Sequence, residues 1–288
     1  MSEQTWTVVD LLRWTTEHFA GLGIESPRLD AEVLLANTLG TGRLELYLHY
    51  DKPVTRAERS AFRELVVRRG GDRVPVSQLV GRREFWSLPL RVTGEVLTPR
   101  PETETLVETA LELLPDVDAE VRVLDVGTGT GAIALAIARE RPKARVVATD
   151  ISPAALQIAA ANADELQLND RVRFLAGSLF EPVAGERFDL VASNPPYLVR
   201  GSVGLAPELA HEPEVALFAG DDGLEVLRPL VAGVSEVLED RGKLVVEIDP
   251  SQADAVSALC ESAGLVDVQI RRDLAQRPRV VAAWKAEA

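Results

Sequence analysis

Val123-Leu124-Asp125-Val126-Gly127-Thr128-Gly129-Thr130-Gly131-Ala132 is the stretch that decides the fold. Its first residues are apolar apart from one acid, the pattern of a strand covered on both faces. Gly127, Gly129 and Gly131 then allow a tight turn and let a ligand approach the backbone closely. From Ala132 to Arg139 the apolar spacing is helical. Strand, glycine loop and helix in that order match G-x-G-x-x-A, the dinucleotide-binding fingerprint. Asp150 ends the next apolar run, nineteen residues after Gly131, where an acid can accept both hydroxyls of an adenosine ribose. Loop and acid together specify a cofactor that contains adenosine. NAD would bring a pyrophosphate, which favours an uncluttered helix N-terminus. Asp125, just before the glycines, suits a cationic or amine-bearing ligand better, and S-adenosylmethionine carries an ammonium and a sulfonium.

Outward from that loop, strands and helices alternate. Strands are expected over 121–126, 144–149, 172–175, 188–192, 244–248, 266–271 and 280–284. Helices are expected over 132–139, over 153–166 with Ser152 as cap, over 224–238 with a kink at Pro229, and over 252–263. This alternation predicts an α/β fold, a doubly wound, mostly parallel seven-stranded sheet. The last two strands have no helix between them and are expected as an antiparallel pair at one edge. Ligands bind outside the carboxyl ends of the strands in such sheets.

The first hundred residues differ. Trp6, Val9 and Leu12 mark an amphipathic first helix. Ser26-Pro27 starts a second, which Gly40 ends. Thr55 and Glu58 form a capping box for a third, which ends at Gly70-Gly71. Between residues 76 and 100, short apolar runs broken by Gly81, Pro89 and Gly94 predict strands and turns. The expected organisation is a small helical domain that binds substrate over 1–75, a β-hairpin linker over 76–100 and a cofactor-dependent catalytic domain over 101–288.

Composition narrows the classes. The chain has 288 residues and is 46% hydrophobic and 26% charged, as globular proteins are. No apolar run reaches membrane-spanning length, and the start does not resemble a signal peptide. One cysteine, Cys260, excludes an internal disulfide and a cysteine-based zinc site. The three histidines are scattered, so no metal site is expected. These features point to the cytoplasm. The net charge of −14 is uneven: +1 over residues 1–100 and −15 over 101–288. An acidic catalytic part argues against broad contact with nucleic-acid phosphates.

Asn194-Pro195-Pro196-Tyr197 follows the apolar run that ends at Ser193. Each Pro fixes its own φ and disfavours helix in the residue before it. Asn194 and Pro195 are thus held extended, with their oxygens at a set spacing, and Tyr197 adds a flat wall. Two fixed acceptors and a wall suit a planar –NH2 group.

Residues 123–131 resemble the first motif of class I S-adenosylmethionine-dependent methyltransferases. Asn194-Pro195-Pro196-Tyr197 resembles the motif of members that methylate planar exocyclic nitrogens. Arg83-Glu84-Phe85-Trp86-Ser87-Leu88-Pro89-Leu90 and Thr98-Pro99-Arg100-Pro101-Glu102-Thr103-Glu104 are similar to the inter-domain segment of the HemK/PrmC family, the release factor glutamine methyltransferases. Ser26-Pro27-Arg28-Leu29-Asp30-Ala31-Glu32 resembles part of that family's helical domain. The resemblance implies that the substrate is the glutamine of the Gly-Gly-Gln loop in peptide-chain release factors, a protein partner, with no direct nucleic acid or membrane contact. It also implies that Asp125, Gly127, Thr128, Gly129, Thr130 and Gly131 hold S-adenosylmethionine, with Asp150 on the ribose, Leu179 beside the adenine and Asn194 at the methyl end. Asn194, Pro195 and Tyr197 would be catalytic, and with Pro196 would bind the glutamine amide. Two positions depart from the family pattern: Ser178, where many relatives have Asp, and Asp249-Pro250, where many have Gly with an aromatic.

Other readings of the same residues are a ribosomal-protein glutamine methyltransferase, a nucleobase amino-group methyltransferase and, further off, an NAD-dependent dehydrogenase or a cofactor-sensing module. The dehydrogenase leaves the Asn-Pro-Pro-Tyr elbow without a use.

Overall fold

A computed structural model describes residues 5–287 and divides them into two compact units. The first comprises residues 5–81 together with Ala206–His211, and the second Arg82–Leu205 together with 212–287.

The first unit contains helices α1 (Val8–Gly21), α2 (Pro27–Leu39), α3 (Arg43–Leu48), α4 (Arg56–Gly70) and α5 (Val76–Val80). Phe19, Leu34, Leu35 and Phe62 fill its core. The Thr55–Glu58 capping box forms as the sequence predicts, and Thr7 with Asp10 makes another. Ser26 precedes α2 but makes no side-chain cap bond. Gly40 ends α2 at φ +61°, a left-handed conformation that glycine adopts at little cost. Two short helices differ from the sequence expectation. α3 lacks strong boundary signals, and Val76–Val80 is helix instead of strand, bounded by Pro75 and by Gly81 at φ +74°. A buried ion network ties α2, α4 and the 206–211 segment together. Arg69 donates to Asp30 at 2.7 Å and to Glu208 at 2.7 Å, and Arg73 pairs with Glu208 at 2.8 Å.

The second unit opens with a hairpin of β1 (Arg82–Phe85) and β2 (Leu88–Arg91). The expected alternation follows: α6 (Glu104–Leu113), β3 (Arg122–Val126), α7 (Ala132–Glu140), β4 (Arg145–Asp150), α8 (Pro153–Glu165), β5 (Val172–Ala176), β6 (Phe188–Ser193), α9 (Leu227–Gly233), β7 (Leu238–Glu247), α10 (Ala253–Ser262), β8 (Leu265–Arg272) and β9 (Pro278–Lys285). The seven larger-sheet strands run in the order β5-β4-β3-β6-β7-β9-β8. The first five are parallel, and β9 is antiparallel to both β7 and β8. The expected helix over 224–238 is shorter than its apolar pattern suggests. α9 covers one part, a 3-10 turn follows at Val234–Glu236, and Leu238 already pairs with Phe188 as strand. Sheet pairing overrides helical spacing there.

Two apolar layers cover the sheet. α6 and α7 pack with Leu106, Leu135 and Ile137 on one face, while α9 and α10 pack with Leu230, Val234 and Val256 on the other. Chain direction across the sheet reverses at β3, with β4 to one side and β6 to the other, which places a crevice at the carboxyl ends of these strands. Asn162 of α8 fixes what faces it. The fully buried Asn162 takes the Arg91 N–H at 2.7 Å and donates to the Thr130 carbonyl at 2.9 Å, joining hairpin to glycine loop. Among the described residues no helix is long and apolar enough to cross a membrane.

Candidate active site

The crevice holds a cavity of about 290 Å³. Gly127, Gly129, Asp150, Leu179, Asn194, Pro195 and Pro196 line it, so the glycine loop, the acid and the elbow meet in one place. Three strand ends bring them there. β3 delivers the loop, β4 delivers Asp150, and β6 delivers Asn194.

The loop opens toward the cavity. At Gly127 (φ +75°) and Gly129 (φ +55°) an added Cβ would meet no atom within 4 Å, so the backbone there faces free space. Asp150 Oδ2 accepts the Gly129 N–H at 2.8 Å, and Oδ1 accepts the Ser152 N–H at 2.9 Å. Each oxygen keeps a lone pair for a ribose hydroxyl. Ile151, Leu179 and Leu230 give the cavity apolar wall on which a flat base can lie. Glu95, Asp150 and Glu225 are among the lining residues, and no Lys or Arg is. That charge suits a cationic group and disfavours a pyrophosphate. The residues present therefore fit an adenosine cofactor with a positively charged end.

Asp125 takes a different place from the one the sequence suggests. It is fully buried and absent from the cavity wall. Its Oδ2 accepts the Thr128 hydroxyl at 2.6 Å and the Ala134 N–H at 3.2 Å, which pins the loop to the first turn of α7. Burial pushes its carboxyl up to about 7. Thr128, Thr130 and Gly131 likewise shape the loop from beneath. Gly131, at φ +82°, packs against Leu135 and Ala159.

The elbow is stiff at both ends. Asn194 Nδ2 donates to the Thr103 hydroxyl at 3.2 Å. Tyr197 does not line the cavity. Its hydroxyl points to Glu247 Oε1 at 3.5 Å, and burial followed by the Glu247 charge pushes the phenol up to about 12. Gln252 grips the backbone behind it, donating to the Gly223 carbonyl at 2.9 Å and to the Tyr197 carbonyl at 3.4 Å. Asp249-Pro250 has a local use in this arrangement. Asp249 caps the turn through the Ser251 N–H and takes Gln252 into a reciprocal capping box, which aims the Gln252 amide at the elbow. Glu212 is also buried and accepts from the Thr98 N–H at 3.1 Å and from Arg100, which holds the chain beyond the elbow against the segment before α6.

Residue-level reading of the sequence missed Thr103, Glu247 and Gln252. Glu247 left a trace, a single acid inside the apolar run Leu244–Ile248.

Comparison with known proteins fits this geometry. Residues 10–81 match the family model described as the PrmC N-terminal domain, and residues 103–220 match the methyltransferase small domain. A release factor glutamine methyltransferase of Rhodopirellula baltica is 44% identical over 292 residues, covering 99% of this chain and 98% of the relative. The chain belongs to the release factor glutamine methyltransferase family. A second relative in this release factor glutamine methyltransferase family, from Xylella fastidiosa, is 49% identical over 254 residues, covering 88% of this chain and 91% of that one. A methyltransferase structure from Pyrococcus furiosus superposes with a TM-score of 0.51 at 18% identity, covering 69% of this chain and 89% of the other, a likeness of fold. The fold expected from the sequence, a class I methyltransferase sheet with a helical N-terminal region, is the one observed.

Proposed function

We propose that this chain transfers a methyl group from S-adenosylmethionine to the side-chain amide nitrogen of the glutamine in the Gly-Gly-Gln motif of peptide-chain release factors, in the cytoplasm. One observation carries the reading. Asn194 and Pro195, a fixed pair of acceptors at the end of β6, line the same cavity as Gly127, Gly129 and Asp150. S-adenosylmethionine, when bound, supplies an electrophilic methyl on a sulfonium.

An amide nitrogen is a poor nucleophile because its lone pair is delocalised into the carbonyl. The Asn194 side-chain oxygen and the Pro195 carbonyl accept its two N–H groups and hold it in place, so that most of the rate comes from positioning. The same acceptors stabilise positive charge as it develops on nitrogen. Pro196 keeps the elbow rigid, and Tyr197 backs it. The helical unit receives the body of the release factor. With a net charge of −15 over 101–288, the catalytic part favours a protein over a nucleic acid as partner.

Mass spectrometry of a release factor incubated with this protein and S-adenosylmethionine tests the reading. One added methyl on the Gly-Gly-Gln glutamine is expected. Methyl transfer to ribosomal protein or to naked RNA or DNA, with the release factor unmodified, overturns it.

A further inference from the structure

Glu208, Glu212 and Glu214 fall in one polar stretch of the chain, and nothing in their spacing sets one apart. The fold buries Glu212 at 6% exposure and leaves Glu214 in solvent. A carboxylate taken out of water needs donors for its oxygens, and Glu212 has one for each. Oε1 accepts the Thr98 N–H at 3.1 Å, and Oε2 pairs with Arg100 Nη2 at 2.5 Å. Both partners lie between β2 and α6, 114 and 112 positions earlier in the chain.

Each end of this contact adjoins the cofactor cavity. Leu97 precedes Thr98, and Glu95, Val96 and Leu97 line one part of the cavity wall. Pro213 follows Glu212, and Pro213, Val215 and Ala216 line another. Neither stretch is strand or α-helix. The first is a loop, and the second holds a single 3-10 turn at Glu214–Ala216. Glu95 and Val215 are exposed, so both stretches reach the outer rim of the cavity. Val96 packs with Val92 and Ala155 on its own side, and the Phe218 N–H closes the turn on the Glu214 carbonyl at 2.9 Å. The Glu212 contact joins one stretch to the other.

Parting the two stretches means breaking that contact. Glu212 would surrender both donors while its side chain, 1% exposed, still lies in the interior. Stripping a buried carboxylate of its partners costs far more than parting two exposed ions. Arg100 is 35% exposed, so water covers part of the loss on its side.

We infer that Glu212 and Arg100 latch the rim of the S-adenosylmethionine cavity: by tying the 95–97 loop to the 213–216 turn, they set how fast the cofactor, and the S-adenosylhomocysteine left after transfer, can leave. Neither lines the cavity itself, so both are positioning residues. The inference rests on this cavity being the S-adenosylmethionine site and does not depend on the identity of the methyl acceptor. A field effect on a cationic ligand would behave differently. Arg100→Met leaves Glu212 with an uncompensated negative charge near the cavity, and Glu212→Gln removes one. Charge alone would therefore tighten binding in the first variant and loosen it in the second. Loss of the latch loosens both.

The test is surface plasmon resonance on the immobilised full chain, with S-adenosylmethionine and S-adenosylhomocysteine as ligands. Arg100→Met and Glu212→Gln should each raise both dissociation rates by about tenfold. The double variant should stay within about twofold of either single one, because the same ion pair is lost in all three. Arg100→Lys keeps the charge and should return to within about threefold of wild type. In release factor methylation, both single variants should raise the KM for S-adenosylmethionine without lowering kcat. Dissociation rates within about twofold of wild type in both single variants overturn the inference, and so do shifts of opposite sign in the two. If Glu212→Gln fails to fold, Arg100→Met against Arg100→Lys decides alone. A wild-type chain that binds neither ligand sinks the cofactor site together with the latch. Tight binding that neither variant alters sinks only the latch.

Discussion

Asp150 Oδ2 accepts the Gly129 N–H at 2.8 Å, so the acid that ends β4 and the loop that follows β3 form one structure. The Ser152 N–H occupies the other oxygen. Asp150→Asn would offer one acceptor to two N–H donors and leave one of them unmatched. The Kd for S-adenosylmethionine should rise by about ten- to a hundredfold. Isothermal titration calorimetry reads this directly, and an unchanged Kd would remove Asp150 from the cofactor site.

Two glycines of the loop should respond differently to the same substitution. At Gly131 a Cβ would lie 3.0 Å from Leu135 Cδ1 and 3.3 Å from the Ala159 Cβ, at φ +82°. Gly131→Ala should cost about 1–3 kcal/mol, combining left-handed strain with crowding. At Gly127 the added methyl meets open space, so Gly127→Ala should lower the melting temperature less and weaken cofactor binding more. Thermal melts and titrations of both variants make the comparison.

Asp125 should make the protein less stable as the pH rises. Burial lifts its folded carboxyl to about 7 from an ordinary 3.8. Its contribution is fully present below 3.8, shrinks as pH rises toward 7, and is gone above it, because the unfolded chain releases the proton first. Asp125→Asn keeps an acceptor for Thr128 and Ala134 and removes the titration. Its melting temperature should exceed that of wild type at pH 8 by an amount that shrinks toward pH 5. Melts across that range check it, and parallel curves would exclude Asp125 as the source.

Glu32 should act with the opposite sign in the helical unit. It is buried and accepts from Arg28, from Arg43 at 2.8 Å and from Tyr47. Burial pushes its carboxyl up, but the bonds from Tyr47, Arg28 and Arg43 outweigh it and hold the carboxyl below its ordinary 4.5. This stabilisation is present above 4.5 and lost as pH falls through the lowered value. Glu32→Ala should cost about 1–3 kcal/mol near neutrality by urea denaturation, with the difference narrowing in acid.

Much of this was legible in the sequence because it is local. The glycine loop, the apolar strands and the Thr55–Glu58 box depend on neighbours within a few positions. What was not legible depends on distant pairing. Leu238 reads as helix by spacing and is strand because Phe188 lies beside it. Asp125 reads as a ligand because it borders the glycines, yet it is buried off the cavity wall with Oδ2 taken by Thr128 and Ala134, and Oδ1 has no hydrogen-bond partner among the described residues. Thr103 and Asn194 lie 91 positions apart, and no sequence period connects them. Gln252 reaches the elbow only because the Asp249 cap turns the chain there.

The segment Ala206–His211 belongs to the helical unit although the chain on both sides of it belongs to the other. The helical unit is therefore not a detachable module. A fragment ending at Gly81 would leave Arg69 without Glu208 and strip Arg73 of the same partner. Grafting the helical part of one relative onto the sheet of another would have to carry this six-residue stretch as well. The helical unit and the loop that follows the Asn-Pro-Pro-Tyr elbow are thus bound to change together.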